Sequence, residues 1–273
     1  YGVTVQESIA KLFIAGIIPG IMIALIFMSY VVIWSLINKK SMPKYVESFS
    51  FLEKIKKSKQ LLPVIILISA VIGSIYTGVA TATEAASLGV VGALILSYFQ
   101  GSLTVESFKL SLLGATKTSC MIAFILAGST FLSLAMGFTG LPRNLALWIQ
   151  NMELSPYVLI FVLMIFYIIL GMFLDGISAV VLTMAIIEPM IRQAGFDMIW
   201  FGIFLVIVVE MAQITPPVGF NLFVLQGMAN KDMGFIARSA FPLFVLMILA
   251  VILVVIFPEI ALWMPQQMVQ NIN

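Results

Sequence analysis

The sequence predicts an all-α integral membrane protein: a multi-span helical bundle that contains a re-entrant helical hairpin and a broken helix. Of its 273 residues, 62% are hydrophobic and 10% are charged, whereas a soluble domain is about 45–50% apolar and about 25% charged. About six or seven segments approach the roughly 20 apolar residues that a spanning helix needs. Glycine or proline interrupts two further apolar stretches, which predicts the hairpin and the broken helix.

Residue types exclude most intramembrane enzymes. The single cysteine, Cys120, rules out an intramolecular disulfide and a multi-cysteine metal site. The sequence has no histidine, which removes the usual zinc and haem ligand and the base of a serine protease. An aspartyl protease needs two membrane aspartates, and Asp175 is the only plausible one. We therefore predict no catalytic residues and no enzyme.

The distribution of positive charge predicts the orientation of the spans. The apolar run Ile9–Ile37 precedes a lysine-rich stretch, residues 39–59, of the kind that marks the cytoplasmic side. Further apolar runs cover residues 61–77, 84–99, 112–136 and 241–256. With the lysine-rich stretch inside, eleven of the fourteen Lys and Arg residues fall on the cytoplasmic side. Residues 39–60 are also expected to form an amphipathic helix on the membrane surface.

The segment 156–192 predicts the hairpin. It is interrupted at residues 171–178, which read Gly-Met-Phe-Leu-Asp-Gly-Ile-Ser. Two spans joined by a tight turn remain an alternative, but a second limb of about 13 residues (179–191, ending near Pro189) is short for a span and favours a re-entrant hairpin. Asp175, flanked by glycines, is either a ligand for Na⁺ or the N-cap of the second limb.

The segment 213–221, Gln-Ile-Thr-Pro-Pro-Val-Gly-Phe-Asn, predicts the broken helix. Two prolines and a glycine cannot continue a helix, and the freed backbone groups need partners that lipid cannot supply. Transporters use such breaks to coordinate ions and substrates. A surface turn is the alternative. Against it, the flanking runs of about 16 and 11 residues are each too short to span alone.

Three other acidic residues lie in or beside apolar runs, where charge is expensive. Thr81 and Glu84 have capping-box spacing, so Glu84 is interpreted as a helix-start residue. Glu210, one turn before the break, is expected to pair, to face a wet cavity or to bind a proton. The sequence suggests no partner for Glu188.

These segments together resemble the large membrane subunit of the TRAP (tripartite ATP-independent periplasmic) transporters. The resemblance lies in residues 76–94 (Tyr-Thr-Gly…Thr-Glu-Ala-Ala…Gly-Val-Val), 170–189 (Leu-Gly-Met-Phe-Leu-Asp…Pro) and 195–224, whose Thr-Pro-Pro-Val-Gly block is its most specific part. Residues 13–20, Phe-Ile-Ala-Gly-Ile-Ile-Pro-Gly, resemble the end of that subunit's first half.

The resemblance implies half of an inverted-repeat, elevator-type transporter. Residues 1–60 would be the end of the first repeat plus the cytoplasmic linker, and 61–273 the second repeat. Within it, residues 61–136 and 240–262 would be scaffold, and residues 156–230 the hairpin and broken helix of the transport domain. The chain would be the carboxyl-terminal portion of a longer protein, and this portion alone is not expected to transport.

The resemblance also implies Na⁺-coupled import of an organic acid, of C4-dicarboxylate or sialic acid type, across a bacterial inner membrane. The partners would be a periplasmic substrate-binding protein, a small four-helix membrane subunit, the first repeat of the same subunit and the lipid bilayer, with no nucleic acid. Substrate would meet Ser178, Pro217 and Asn221. The expected Na⁺ site consists of Gly171, Asp175, Gly176, Gln213, Thr215 and Val218. The alternative is a passive channel or a structural membrane subunit, although no pore-lining ring of like charge is visible.

Overall fold

The computed structural model describes residues 1–39, 58–140, 144, 147, 155–217, 219–229 and 231–270. All regular secondary structure in these residues is helical. A short 3₁₀ turn at Lys59–Leu61 precedes α3. The α-helices in chain order are α1 (Ile9–Ala15), α2 (Ile17–Ile37), α3 (Leu62–Tyr76), α4 (Ala82–Phe99), α5 (Val105–Thr139), α6 (Pro156–Gly171), α7 (Gly176–Gln193), α8 (Met198–Gln213), α9 (Phe220–Ala229), α10 (Met233–Ile256) and α11 (Glu259–Gln270).

The prediction of an all-α integral membrane protein is confirmed. In the described part of the chain, five stretches are long and apolar enough to cross a bilayer: Ile9–Ile37, Ala82–Phe99, Val105–Leu132, Gly176–Gln193 and Met233–Ile256. Many large apolar side chains on these helices are exposed, among them Met28, Leu88 and Phe124. Large contiguous apolar surface is rare on soluble monomers, and lipid covers it at no cost in a membrane.

The chain forms two compact units. One contains Tyr1–Phe27 and Thr118–Gln267, and the other contains Met28–Lys117 and Met268–Asn273. The boundaries fall inside α2, α5 and α11. The first unit holds the hairpin helices α6 and α7 and the interrupted pair α8 and α9, so it holds every residue predicted for the site.

Helix α8 is the centre of the first unit. It is apolar except at Glu210 and Gln213, and it is buried except along the face that carries Val206, Glu210 and Gln213. Thirteen of its 16 residues are buried, and it packs against α1, α6, α7 and α10. At its start, Tyr1 and Leu12 lie so close to Gly202 that an added β-carbon would be 2.6 Å from the Tyr1 ring. This packing fixes the position of the carboxyl end of α8, where the interruption of the helix begins.

Trp200 donates a hydrogen bond to the Val254 carbonyl, which has no helical donor because residue 258 is a proline. In a continuing helix the Val254 carbonyl would accept from the N–H of residue 258, but Pro258 has none. The indole Nε1–H of Trp200 donates to that carbonyl instead, at 2.9 Å. Trp200 is 2% exposed, and its indole stacks on Phe196 and on Phe204, with centroid distances of 5.1 and 5.8 Å. Trp200 therefore ties the start of α8 to the end of α10.

A polar contact joins the two limbs of the hairpin. The hydroxyl oxygens of Tyr167 on α6 and Thr183 on α7 are 2.6 Å apart, and Thr183 also donates to the Ala179 carbonyl at 2.8 Å. Tyr167 is fully buried. Because Thr183 already uses its proton on Ala179, the phenol acts as the donor between the limbs.

We expect Tyr167→Phe to lower the free energy of unfolding by about 0.5–1.5 kcal/mol, the usual net contribution of one hydrogen bond. Phenylalanine keeps the packing, and Thr183 keeps its bond to the backbone. Chemical denaturation of the detergent-solubilised protein would measure the change, with Tyr157→Phe as the control because Tyr157 is exposed. Equal stability of the two variants would contradict the importance of this contact.

The second limb of the hairpin is longer than predicted. Helix α7 has 18 residues and continues through Pro189 to Gln193, so the limit of about 13 residues was wrong. Proline is tolerated inside such helices when neighbouring groups satisfy the freed carbonyl. Since α7 is long enough to span, length no longer favours a re-entrant hairpin over two spans, and re-entry stays a prediction.

Glu188 has partners that the sequence analysis did not find. Its carboxylate accepts from Arg192 Nε at 2.9 Å, one turn along α7. Arg192 also lies 3.6 Å from the Glu7 carboxylate and donates to the Val5 carbonyl at 3.1 Å. This cluster fastens the segment before α1 to the last turn of α7.

In the second unit, α3 and α4 pack against each other. The predicted capping box at the start of α4 is confirmed: the Glu84 N–H donates to Thr81 Oγ1 at 3.3 Å, and the Thr81 N–H donates to Glu84 Oε2 at 2.8 Å. Of the predicted surface helix at 39–60, residues 40–57 lie outside the described residues.

Candidate functional site

The hairpin tip is a short turn between two helix ends. Helix α6 ends at Gly171 and α7 begins at Gly176, with Asp175 as its N-cap. Asp175 Oδ2 accepts from the Ser178 N–H at 3.0 Å, and the Ser178 hydroxyl donates to Oδ1. The N-cap interpretation of Asp175 is thus confirmed. Each carboxylate oxygen has a second lone pair, so capping does not exhaust the capacity of Asp175 to accept.

The break between α8 and α9 frees backbone carbonyls. Pro217, whose peptide bond with Pro216 is cis, has no N–H to offer the Gln213 carbonyl, its helical partner. Gly219, with φ of 53°, would be the helical donor to Thr215, but its N–H donates to the Met172 carbonyl at 3.3 Å. The break therefore removes the regular helical donors of the Gln213 and Thr215 carbonyls.

The two freed carbonyls point toward the same place. A β-carbon added to Gly219 would lie 2.9 Å from the Thr215 oxygen and 3.1 Å from the Gln213 oxygen. The Thr215 hydroxyl donates to the Met211 carbonyl at 2.8 Å, which leaves its lone pairs to accept or to coordinate. The end of α8 and the first residues of the break thus offer several hard oxygen atoms, the ligand type that Na⁺ takes in broken-helix transporters.

The hairpin tip and the break are in direct contact. Besides the Gly219–Met172 hydrogen bond, both tip glycines touch the end of α8. An added β-carbon would lie 2.7 Å from Ala212 Cβ at Gly171, and 2.6 Å from Gln213 Nε2 at Gly176. Only glycine at these two positions lets the segments approach so closely. The structure therefore brings the hairpin tip and the start of the break together within the first unit.

A cavity of about 410 Å³ opens beside this contact, in the groove between α7 and α8. Two carboxylates, an amide and a phenol line it, together with aliphatic side chains, and none of the lining residues that the structure describes carries a positive side chain. The lining residues are Tyr1, Asp175, Gly176, Ile177, Val180, Val181, Val206, Val209, Glu210 and Gln213. Burial, reinforced by the charge of Glu7, raises the pKa of the Tyr1 phenol, which donates to the Met198 carbonyl at 2.6 Å. Such a wall suits a hard cation better than an unaccompanied anion.

Comparison with known proteins decides the family. The profile of the "Tripartite ATP-independent periplasmic transporter, DctM component" matches residues 1–260. The chain belongs to this family. The resemblance to the TRAP large subunit predicted from the sequence is thereby confirmed, and so is its character as a membrane protein.

Named relatives of this DctM-family chain cover several substrates. It is 30% identical over 266 residues to the C4-dicarboxylate TRAP transporter large permease protein DctM of Pseudomonas aeruginosa, covering 97% of this chain and 62% of the relative. Over 269 residues it is 29% identical to the sialic acid TRAP transporter large permease protein SiaM of Vibrio cholerae, at 97% and 62% coverage. Over 267 residues it is 30% identical to the isethionate TRAP transporter permease protein DctMQ of Oleidesulfovibrio alaskensis, at 96% and 41%. The chain thus spans about 40–60% of the length of these relatives.

The nine residues predicted for the site have different positions in the structure. Gly171, Asp175, Gly176, Gln213 and Thr215 lie at the tip–break contact. Ser178 is bound to Asp175, and the cis Pro217 is exposed in the break. The Asn221 side chain turns back to α8 and donates to Glu210 Oε2 at 3.3 Å. Val218 lies outside the described residues.

Two groups beside the candidate site were underrated or missed by the sequence analysis. The Met172 carbonyl, which joins the tip to the break, carries no signal in the sequence because any residue supplies a carbonyl. Glu210 was given only general roles. Its position three residues before Gln213 puts both on one helical face, and that spacing could have placed it on the cavity wall. Among the described residues, no three His, Cys, Asp or Glu side chains cluster as they would around a metal ion.

Proposed function

We propose that the full-length protein is the large membrane subunit of a Na⁺-coupled secondary transporter that imports an organic acid by an elevator mechanism. The observation that carries the proposal is the contact of the hairpin tip with the break in a DctM-family chain. At that contact, the oxygen atoms of Gln213 and Thr215 converge near Gly219. Na⁺ is a cargo ion here, taken up and released with the substrate.

The oxygens at the contact fit Na⁺ by type. Backbone carbonyls, a threonine hydroxyl and a carboxylate are hard neutral or anionic ligands, and the described residues of the cavity wall beside them include no positive side chain. Gly171 and Gly176 contribute by letting the tip reach α8. Val218, next in the break, completes the proposed Na⁺ set of Gly171, Asp175, Gly176, Gln213, Thr215 and Val218.

The substrate is proposed to be an organic anion. The relatives include permeases named for C4-dicarboxylates, sialic acid and isethionate, which share an acidic group. An anion is repelled by Asp175 until Na⁺ offsets its charge, so binding of the two cargoes is coupled. The N-terminus of α7 adds a favourable partial charge near Ser178. Ser178, Pro217 and Asn221 are proposed to face the substrate.

The proposal includes the partners of the complete transporter. A periplasmic binding protein would deliver the acid, a small four-helix subunit would brace the scaffold in the bacterial inner membrane, and the first repeat would supply the other half of the cleft. The hairpin and broken helix (156–230) would move, and the spans at 61–136 and 240–262 would stay fixed.

We expect Thr215→Ala and Asp175→Ala to raise the Na⁺ concentration for half-maximal uptake by about tenfold or more. Each removes an oxygen ligand of an ion, and contacts with charged groups contribute about 1.5–3 kcal/mol. The measurement is substrate uptake into proteoliposomes that hold the full-length subunit with its small subunit and binding protein, at varied Na⁺.

Two variants serve as matched controls for this test. Thr130 makes the same hydroxyl-to-backbone bond on α5, to the Leu126 carbonyl at 2.8 Å, and Asp232 caps α10 through the Gly234 N–H at 2.8 Å. Thr130→Ala and Asp232→Ala should keep the wild-type dependence on Na⁺. Unchanged dependence in Thr215→Ala and Asp175→Ala would remove the proposed ion site, and uptake that never exceeds the external substrate concentration would indicate a passive channel.

A further inference from the structure

We propose that Glu210 is a positioning residue that holds Asn221 across the helix break and thereby keeps the Na⁺ site in shape. The inference rests on the proposed function, and it assigns Glu210 a role as a hydrogen-bond acceptor for Asn221 and not as an ion ligand. The contact that carries it runs from Asn221 Nδ2 on α9 to Glu210 Oε2 on α8, at 3.3 Å. It joins residues on opposite sides of the break.

Helix electrostatics explain why the carboxylate turns toward α9. Glu210 lies in the last turn of α8, where the partial negative charge of the helix end disfavours an anion. Asn221 is the second residue of α9, whose first turn carries partial positive charge. By reaching across the break, the carboxylate leaves the unfavourable end of one helix for the favourable end of the next.

The contact also fixes the orientation of the Asn221 amide. An ionised carboxylate only accepts hydrogen bonds, so the amide must present its NH₂ group to Glu210. The amide oxygen is consequently directed away from Glu210. An acceptor held in this way suits a cation or a substrate hydroxyl, whereas a freely rotating amide would offer either group.

The Glu210–Asn221 hydrogen bond, the bridge, lies next to the proposed Na⁺ ligands. The break between its two ends contains the Gln213 and Thr215 carbonyls, which converge near Gly219. On the far side of the break, the Leu222 N–H donates to the Gly219 carbonyl at 2.8 Å, so the first turn of α9 is bound directly to the glycine at which those carbonyls meet. Loss of the bridge would release α9 from α8 and loosen the spacing of the ligands.

The test is a set of Glu210 and Asn221 variants of the full-length transporter. We expect Glu210→Ala to raise the half-maximal Na⁺ concentration about three- to tenfold, the effect of losing one hydrogen bond, with the maximal uptake rate largely kept. Glu210→Gln retains an acceptor oxygen and should stay within about twofold of the wild type. The matched control is Glu106→Ala, an exposed carboxylate on α5, which should match the wild type.

A double variant shows whether Glu210 and Asn221 act through their contact with each other or independently. In the Asn221→Ala background, Glu210→Ala should cause no further change, because the partner is already gone. Heat stability of the purified protein at increasing Na⁺ gives the same comparison without uptake. If Glu210→Gln were as impaired as Glu210→Ala, the charge of Glu210 would matter and the inference would be overturned. It would also be overturned if Glu210→Ala had the wild-type Na⁺ requirement, or if the effects of Glu210→Ala and Asn221→Ala were additive in the double variant.

Uptake by the wild-type transporter separates a failure of the proposed function from a failure of the inference about Glu210. If its uptake does not depend on Na⁺, the proposed function fails and the inference fails with it. If its uptake depends on Na⁺, the Glu210 and Asn221 variants alone decide the inference, whatever Thr215→Ala and Asp175→Ala show.

Discussion

Gly219→Val should abolish Na⁺-dependent uptake. Gly219 has φ of 53°, a left-handed conformation that costs an ordinary residue roughly 1–2 kcal/mol and a β-branched residue more. The new β-carbon would also lie 2.9 Å from the Thr215 carbonyl oxygen. Backbone atoms cannot swing away as a side chain can, so the carbonyls proposed to bind Na⁺ must move apart.

The readouts for Gly219→Val are uptake in proteoliposomes and stabilisation of the purified protein by Na⁺. Gly227→Val is the matched control, because Gly227 lies inside α9 and an added β-carbon there meets nothing within 4 Å. The control should be produced in normal amounts and keep wild-type uptake. A Gly219→Val protein with the wild-type Na⁺ requirement would mean that the break is not the ion site.

Trp200→Ala should cause the largest loss of stability. Deleting a buried large aromatic side chain typically costs about 3–5 kcal/mol, and here it also leaves the Val254 carbonyl without its indole donor. Trp200→Phe keeps most of the stacking with Phe196 and Phe204, so it isolates the hydrogen bond and should cost about 1–3 kcal/mol. Denaturation of the solubilised full-length protein gives both values.

Trp263→Ala is the reference for the tryptophan series, since Trp263 is half exposed on α11. It should change the free energy of unfolding of the solubilised protein by less than about 0.5 kcal/mol, as surface substitutions usually do. If Trp200→Phe proved as stable as the wild type, the Val254 carbonyl would have another donor, and the role assigned to the indole would be wrong.

Local patterns predicted the helices and their interruptions well. Paired prolines and a following glycine end a helix wherever they occur, so the end of α8 at Gln213 followed from the sequence, as did the capping box of Thr81 and Glu84. The length of α7 did not, because Pro189 was treated as a stop. Whether a proline ends a buried helix depends on packing around the freed carbonyl, which no local pattern contains.

Contacts between segments were harder to predict than the segments themselves. The pairing of Glu188 with Arg192 follows the four-residue spacing of a helix and could have been found. The Asn221–Glu210 contact spans a break whose geometry the sequence does not specify. The family resemblance implied that the tip and the break meet, but the bond between Gly219 and Met172 depends on tertiary structure alone.

That bond has a consequence for mutational studies. It joins the N–H of Gly219 to the carbonyl of Met172, so both partners belong to the main chain, and exchanging the methionine side chain leaves the acceptor unchanged. Substitution of Met172 by alanine would therefore leave this hydrogen bond in place, and substitution of Gly219 would add a β-carbon without removing the N–H. Replacing the amide at position 219 by an ester, through semisynthesis or suppressor tRNA, would delete its hydrogen while sparing every side chain.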